Sequence, residues 1–426
     1  MQSFVIEGGR PLSGSVRAAG NKNGALPILA ATVLASAEVR LTNVPRIRDV
    51  ETMVELLVDI GADAGWTGPN EVRVDSSGVH KSELDPELCR EMRASFLLAG
   101  PLLARFGNAT VPPPGGDVIG RRRLDTHIHA FAELGAEVEL NGAYEMRTNG
   151  LKGKRMYLDE ASVMGTENAI MAAVLAQGQT CVGHAACEPH IQDLCRFLVA
   201  LGAQISGVGS NVLYIDGVDR LGGGDYRISP DHVEVASFAG LAAVAGGAVT
   251  IEDVRPDDLI SIVPSFRKLG IELEVHEDRV VVPAGQSLQM EDDLGGQIPK
   301  IESGIWPAFP ADLTSIAVTV ATQAEGTILI FEKMFESRLF FVDKLVSMGA
   351  RIILCDPHRA VVTGPSKLYG QRLESPDIRA GMAMVIAALC AEGTSTIGNI
   401  RQIDRGYEQI DERLRGLGAQ IERDEL

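Results

Sequence analysis

Aromatic residues are scarce: Phe, Trp and Tyr together make up 5% of the chain. A core with few large rings must be built by close approach of small-residue helices, and 46 glycines beside abundant alanine fit that expectation. Cationic charge is also short. Lys and Arg number 39 against 57 Asp and Glu, a formal net charge of −18. This balance argues against nucleic acid or an anionic membrane as partner, and it requires a local cationic pocket for any anionic substrate. The six cysteines (Cys89, Cys181, Cys187, Cys195, Cys355, Cys390) show no paired spacing, so reduced thiols are expected. No apolar run reaches spanning length. The opening residues Met1 to Gly8 lack the basic start and apolar core of a secretory leader, and a cytoplasmic location is expected.

What is present is a repeat. At 426 residues, 45% of them apolar, the chain is expected to form two or three ordered domains. Six times a helical apolar run ends in a small-residue turn and enters a short Val/Thr/Ile strand; examples are Phe106-Gly107, Gln177-Gly178 and Glu392-Gly393. About two dozen residues later an amphipathic helix closes on glycine, at Gly61, Gly135, Gly202, Gly270, Gly349 and Gly418, before another strand. Glycine directly after such a helix is the expected C-terminal cap. The closures recur every 67 to 79 residues, which implies internal duplication. The stretch Asp219-Arg-Leu-Gly-Gly-Gly-Asp225 reads as a linker that divides the copies three and three. The expectation is an α/β (α+β) protein of two similar domains, 20–229 and 1–19 with 230–426, with a cleft between them as the preferred ligand site.

One stretch stands out against this background: Pro112-Pro-Pro-Gly-Gly-Asp-Val-Ile-Gly-Arg-Arg-Arg-Leu-Asp125. It combines a proline stop, three glycines, one carboxylate at the loop tip, Asp117, and an arginine cluster before a helix expected over 126–134. Such a loop suits a phosphate-bearing substrate and a proton transfer. It equally suits a solvated loop in which Asp125 caps the next helix.

Seven segments then carry a resemblance in order along the chain: Ala19-Gly-Asn-Lys-Asn-Gly-Ala25, Met92-Arg-Ala-Ser95, Gly115-Gly-Asp-Val-Ile-Gly120, Phe309-Pro-Ala-Asp312, Phe335-Glu-Ser-Arg338, Asp377-Ile-Arg-Ala380 and Ile403-Asp-Arg-Gly-Tyr407. The chain resembles the enolpyruvyl transferases, and among them the branch that acts on UDP-N-acetylglucosamine in peptidoglycan synthesis. The shikimate 3-phosphate branch carries a Ser- and Arg-bearing segment where this chain has Asn21-Lys-Asn-Gly24. The resemblance implies an inside-out α/β barrel fold, each domain built of three βαβαββ-like units. It implies transfer of the enolpyruvyl group of phosphoenolpyruvate to the 3′-hydroxyl of UDP-N-acetylglucosamine by addition and elimination, with phosphate released and no metal or organic cofactor. It does not distinguish a monomer from a homo-oligomer.

The same resemblance assigns residues. It carries Lys22 to phosphoenolpyruvate and Asn23 to the sugar nucleotide, both expected in a Gly-flanked turn ahead of a helix at 26–34. Arg93, Arg122 and Arg405 complete an anion cage, with Arg338 and Arg379 near the same pocket. Arg122, Arg123, Leu124, Asp125 and Thr126 match the segment that touches the uridine end, and Glu160, Ser162, Val163 and Met334 match further acceptor contacts. Asp312 matches the carboxylate at the acceptor hydroxyl, where it could act as general base; its residue type and place also suit the cap of the following helix. Asp377 matches a second acid near the reacting carbons, as charge organiser or proton relay.

Four positions depart from the usual pattern. Asp117 stands where most of the family carries cysteine, and it is expected to protonate the methylene carbon of phosphoenolpyruvate. Glu160 replaces a common lysine, and His232 replaces an arginine. The loss of two cations leaves room for a different nucleotide acceptor, and a catalytically dead UDP-sugar sensor is a third reading. Arg123, where the family usually has proline, is an extra cation. Two histidine patterns invite a metal and are set aside: His184, Cys187, His190 and Cys195 lack finger spacing, and His127 and His129 do not share a helix face.

Overall fold

The computed structural model describes residues 2–117 and 119–425. It divides into an N-terminal unit, Gly20–Asp117 with Arg122–Ser229, and a C-terminal unit, Met1–Ala19, Val118–Arg121 and Pro230–Leu426.

In the C-terminal unit three helices, His232–Ala245, Thr314–Ala321 and Ile378–Cys390, pack on one another. Every residue from Ile378 to Leu389 is buried. Small residues permit this: a Cβ on Gly240 would already stand 3.0 Å from Val320 Cγ2. Around the helices lie three four-stranded sheets. Each is two antiparallel pairings plus one parallel edge strand, with a single variation. Gly14–Arg17 runs parallel to Val249–Glu252, Lys300–Glu302 to Gly326–Phe331, and Arg372–Glu374 to Thr394–Gly398. In the last sheet Gln2–Glu7 takes the central place, antiparallel to both Thr394–Gly398 and Gln420–Glu425. These pairings are why the first residues of the chain belong with its second half. Glu234, buried in the helix His232–Ala245, reinforces the join: it accepts from the Ala19 N–H at 2.8 Å and pairs with Arg413 at 2.6 Å.

The N-terminal unit repeats the plan. Lys22–Ala31, Ala99–Phe106 and Val163–Ala173 form the buried inner helices, and Arg48–Asp59, Asp125–Glu133 and Pro189–Ala200 the outer ones. Two of its sheets have four strands and the third has three. In that third sheet the expected parallel edge strand is reduced to a single bridge, Glu83 to Thr110.

All six closure glycines have positive φ, from 74° at Gly270 to 110° at Gly349, which is the conformation a helix-ending glycine is selected for. The Asp219–Asp225 stretch is not a linker. It lies inside the N-terminal unit, and Gly224–Arg227 pairs parallel with Val39–Thr42 as that sheet's edge. Gly223 serves close approach: a Cβ there would meet the Glu38 carbonyl oxygen at 2.3 Å. Among the described residues no helix is long and apolar enough to cross a membrane.

Candidate active site

In the N-terminal unit the inner helix begins at Lys22, not at Leu26, because the Asn21 side chain accepts from Gly24 N–H and caps it. Lys22 and Asn23 therefore occupy the first helical turn. Lys22 is 7% exposed, and its Nζ lies 2.8 Å from Asp49 Oδ2. Asp49 is the second residue of the adjacent helix, Arg48–Asp59.

Arg93 opens a short 3-10 segment, Arg93–Leu98. Its Nη2 donates to the carbonyl oxygens of Arg122, at 2.6 Å, and Arg123, at 3.0 Å. Burial, followed by the Arg122 charge, lowers its pKa to about 10. The guanidinium thus fixes the backbone of the arginine segment. The Gly-rich stretch before it is held by close contact. Gly115 N–H donates to Cys89 O at 2.9 Å, and a Cβ on Gly116 would stand 2.8 Å from Arg93 Cβ. Asp117 is half-buried at its end. Val118, within the same motif, lies outside the described residues. Asp125 is the first residue of its helix and does not cap it; its carboxylate pairs with Arg123 instead. Leu124 is buried, and buried Thr126 donates from its hydroxyl to Asp159 Oδ1 at 2.8 Å. Ser162 caps the helix that Val163 opens, accepting from Gly165 N–H at 3.2 Å. Glu160 is exposed.

The C-terminal unit gathers a second group. Asp312 sits in a 3-10 turn, Ala311–Leu313, and is not the cap of the next helix. Arg338 Nη2 donates to its Oδ1 at 3.0 Å and Arg379 Nη2 to its Oδ2 at 3.2 Å. Both arginines are buried, at 4% and 5% exposure. Burial by itself would lower Arg379, but the adjoining Tyr407 hydroxyl and the Asp312 and Asp231 carboxylates more than offset it, and the net shift is upward. Among the described residues, no hydrogen-bond acceptor meets two of the buried guanidinium nitrogens, Arg338 Nε and Arg379 Nη1. Arg379 also lies 5.4 Å from the Tyr407 ring centroid. Asp377 caps the helix Ile378–Cys390, accepting from the N–H groups of Arg379 and Ala380 at 2.9 Å each.

His232 is the first residue of an inner helix and is 4% exposed. Burial first, then the nearby Arg379, lowers its pKa to about 4, so the imidazole is neutral at pH 7. It meets Trp306 edge to face, with centroids 6.0 Å apart. Arg405, 9% exposed, donates to Gln402 Oε1 at 2.8 Å. Met334 is exposed, its N–H donating to Glu332 Oε1 at 2.8 Å. Residues 119–121 of the Gly-rich stretch also belong to this unit. Ser337 N–H donates to Ile119 O at 3.1 Å, and Arg121 N–H to Glu336 Oε2 at 3.0 Å.

The structure therefore joins Arg93 to Arg122 and Arg123, and Asp312 to Arg338 and Arg379. Sequence reasoning missed Asp49, Glu336 and Trp306. Asp49 and Glu336 carry weak local signals, an acid in a first helical turn and an acid beside the Phe335–Arg338 motif, and Trp306 carries none. Among the described residues no three or more His, Cys, Asp or Glu side chains are grouped to hold a metal ion. Cys195 is fully buried, its thiol pushed up to about 12 by burial. His184 stacks on Tyr157. His127 is buried against Phe96 and Asn168, while His129 is exposed.

Comparison with known proteins adds the following. The family model for EPSP synthase (3-phosphoshikimate 1-carboxyvinyltransferase) matches residues 6–414. The chain is 57% identical to a UDP-N-acetylglucosamine 1-carboxyvinyltransferase of Bradyrhizobium diazoefficiens, covering 99% of this chain and 97% of the relative. It is 53% identical to the protein of that name in Treponema denticola, covering 99% of each. Among solved structures, the enolpyruvyl transferase NikO from Streptomyces tendae superposes with a TM-score of 0.89 at 24% identity, covering 99% of this chain and 98% of that one. EPSP synthase from Acinetobacter baumannii gives 0.77 at 19% identity, with both chains fully covered. Likeness at such identities concerns the fold.

Proposed function

The chain belongs to the EPSP synthase family of enolpyruvyl transferases, and on that premise we propose that it transfers the enolpyruvyl group of phosphoenolpyruvate to the 3′-hydroxyl of UDP-N-acetylglucosamine, the first committed step of peptidoglycan precursor synthesis. The observation that carries this reading is the 57% identity, across nearly the whole of both chains, with a UDP-N-acetylglucosamine 1-carboxyvinyltransferase.

In the addition step the acceptor oxygen bonds to C2 of phosphoenolpyruvate, its proton leaves to a base, and an acid protonates C3. Elimination then breaks the C2–O bond to phosphate and removes a proton from C3. Asp117 is the acid and Asp312 the base. Arg338 and Arg379 bind substrate anion, a role supported by their buried N–H groups without acceptors, which an incoming carboxylate or phosphate would satisfy. Lys22 and Arg405 grip phosphoenolpyruvate. Asn23, Arg122 to Thr126, Glu160, Ser162, Val163 and Met334 face the sugar nucleotide. Arg93 acts through the carbonyls it holds, and Asp377 organises charge from its cap position. A cytoplasmic location is part of the same proposal.

A nucleotide acceptor other than UDP-N-acetylglucosamine is the second reading, favoured by exposed Glu160 and neutral His232 at positions where cations are usual. Phosphate release from phosphoenolpyruvate tests both. Release that depends on UDP-N-acetylglucosamine, and not on other nucleotides or shikimate 3-phosphate, is the expected result. Release only with another nucleotide moves the chain to the second reading, and no release from folded protein overturns both.

A further inference from the structure

We infer that Asp49 is a positioning residue of the reaction: it holds Lys22 charged and aimed for phosphoenolpyruvate, a role that rests on the function proposed above. Lys22 is placed where a free ammonium would not be expected to stay. It is buried, at 7% exposure, and it is the first residue of a helix, beside the positive end of the helix dipole. Both conditions disfavour its charge. Asp49 Oδ2, 2.8 Å from Nζ, offsets them, and Asp49 is itself 5% exposed, so the pair is screened little by solvent.

The carboxylate is also well placed on its own helix. Asp49 lies in the first turn of Arg48–Asp59, which has no side-chain cap, so its charge is stabilised there by the same dipole that works against Lys22. The elements packed on the Lys22 helix are Arg48–Asp59, Pro189–Ala200 and the 3-10 segment from Arg93. Their charged or titratable groups include Arg48, Glu51, Arg93, His190, Asp193 and Arg196, of which Asp193 and His190 flank Gly24. Asp193 is engaged by the Ser229 N–H and hydroxyl, Tyr226 and Arg196. Arg93 is turned to the carbonyls of Arg122 and Arg123. Asp49 meets Lys22 directly, Oδ2 to Nζ at 2.8 Å, and a lysine paired in this way grips phosphate as a fixed point charge.

The test is steady-state kinetics over pH on the full chain, with phosphoenolpyruvate and UDP-N-acetylglucosamine varied separately. Asp49→Asn keeps the shape and removes the charge. It should raise KM for phosphoenolpyruvate about tenfold, change KM for UDP-N-acetylglucosamine by less than about twofold, and move the alkaline limb of kcat/KM for phosphoenolpyruvate about one pH unit lower. Asp49→Glu should keep the limb in place while KM for phosphoenolpyruvate still rises, because the charge is retained and displaced by a methylene. A merely structural Asp49 would lower the melting temperature without moving the limb, and that result overturns the role. If Asp49→Asn does not fold, Asp49→Glu carries the test, and wild-type values of both parameters in it overturn the role. A wild-type protein inactive with UDP-N-acetylglucosamine overturns the functional reading and this role together. An active wild type with an unaltered Asp49→Asn overturns the role alone.

Discussion

Glu336 accepts a hydrogen bond from the Arg121 N–H at 3.0 Å, and Gly120, just before it, is so close that a Cβ there would stand 2.4 Å from Glu336 Oε2. Gly120 also has a φ of 129°. Gly120→Ala is therefore expected to dislodge residues 119–121, through both the clash and the strained backbone. Trypsin should then cut after Arg121, Arg122 or Arg123 about tenfold faster, with the melting temperature nearly unchanged. Unaltered cleavage would show that the contact does not hold the loop. The Arg121 N–H is the main cause that lowers the Glu336 carboxyl below its ordinary range. The contact is accordingly present above that range and lost as pH falls through the lowered value, so the protection of the Arg121 N–H against hydrogen exchange, relative to the unfolded chain at the same pH, should fall on acidification below about pH 4.5.

Asp312 neutralises two buried guanidinium groups while itself 28% exposed. Asp312→Asn removes the carboxylate that Arg338 and Arg379 both hydrogen-bond, leaving Arg379 with Asp231 nearby, and should cost about 3 kcal/mol in urea denaturation at pH 7. Turnover should drop at least about a hundredfold, the usual contribution of a general base. A variant of wild-type stability would mean that the arginines find another acceptor.

Acid should weaken the fold through two histidines. Burial lowers His232 to about 4 and His127 to about 3, against an ordinary value of 6.5. Each contributes stability that is present above about pH 6.5 and lost as pH falls through its lowered value, on the order of 3 kcal/mol apiece. Unfolding free energies measured from pH 7 down to pH 4 should fall accordingly, and His232→Gln should flatten part of that slope. Identical slopes in variant and wild type would remove His232 from the account.

Asp117 predicts drug resistance. Epoxide inhibitors such as fosfomycin alkylate the cysteine that most of the family carries here, and a carboxylate is a far poorer nucleophile than a thiolate. The wild type should retain activity at concentrations that abolish that of Asp117→Cys. A covalent adduct on Asp117 with full inactivation would falsify this.

The candidate group of the C-terminal unit was legible only in part. Asp312, Arg338 and Arg379 could be named from their motifs, but not that the three form one charge cluster, because 26 and 67 residues separate Asp312 from its partners. Asp125 and Asp312 read as helix caps, since local pattern favours Asp there. The structure gives both carboxylates to arginines, an exchange of a backbone partner for a stronger charged one. Trp306 beside His232 left no trace in either segment.

The sequence by itself determined the repeat, the closing turns and the kinds of residue available for chemistry. Those are local properties: a glycine at the end of an amphipathic helix has few alternatives, and all six take positive φ. Only the tertiary structure decided which charges meet. Lys22 and Asp49 lie on two helices joined by a strand, Val39–Thr42, and no period in the chain announces their contact. Ion pairs depend on distances of a few ångströms and on exclusion of water, and both are set by how helices pack rather than by the order of residues.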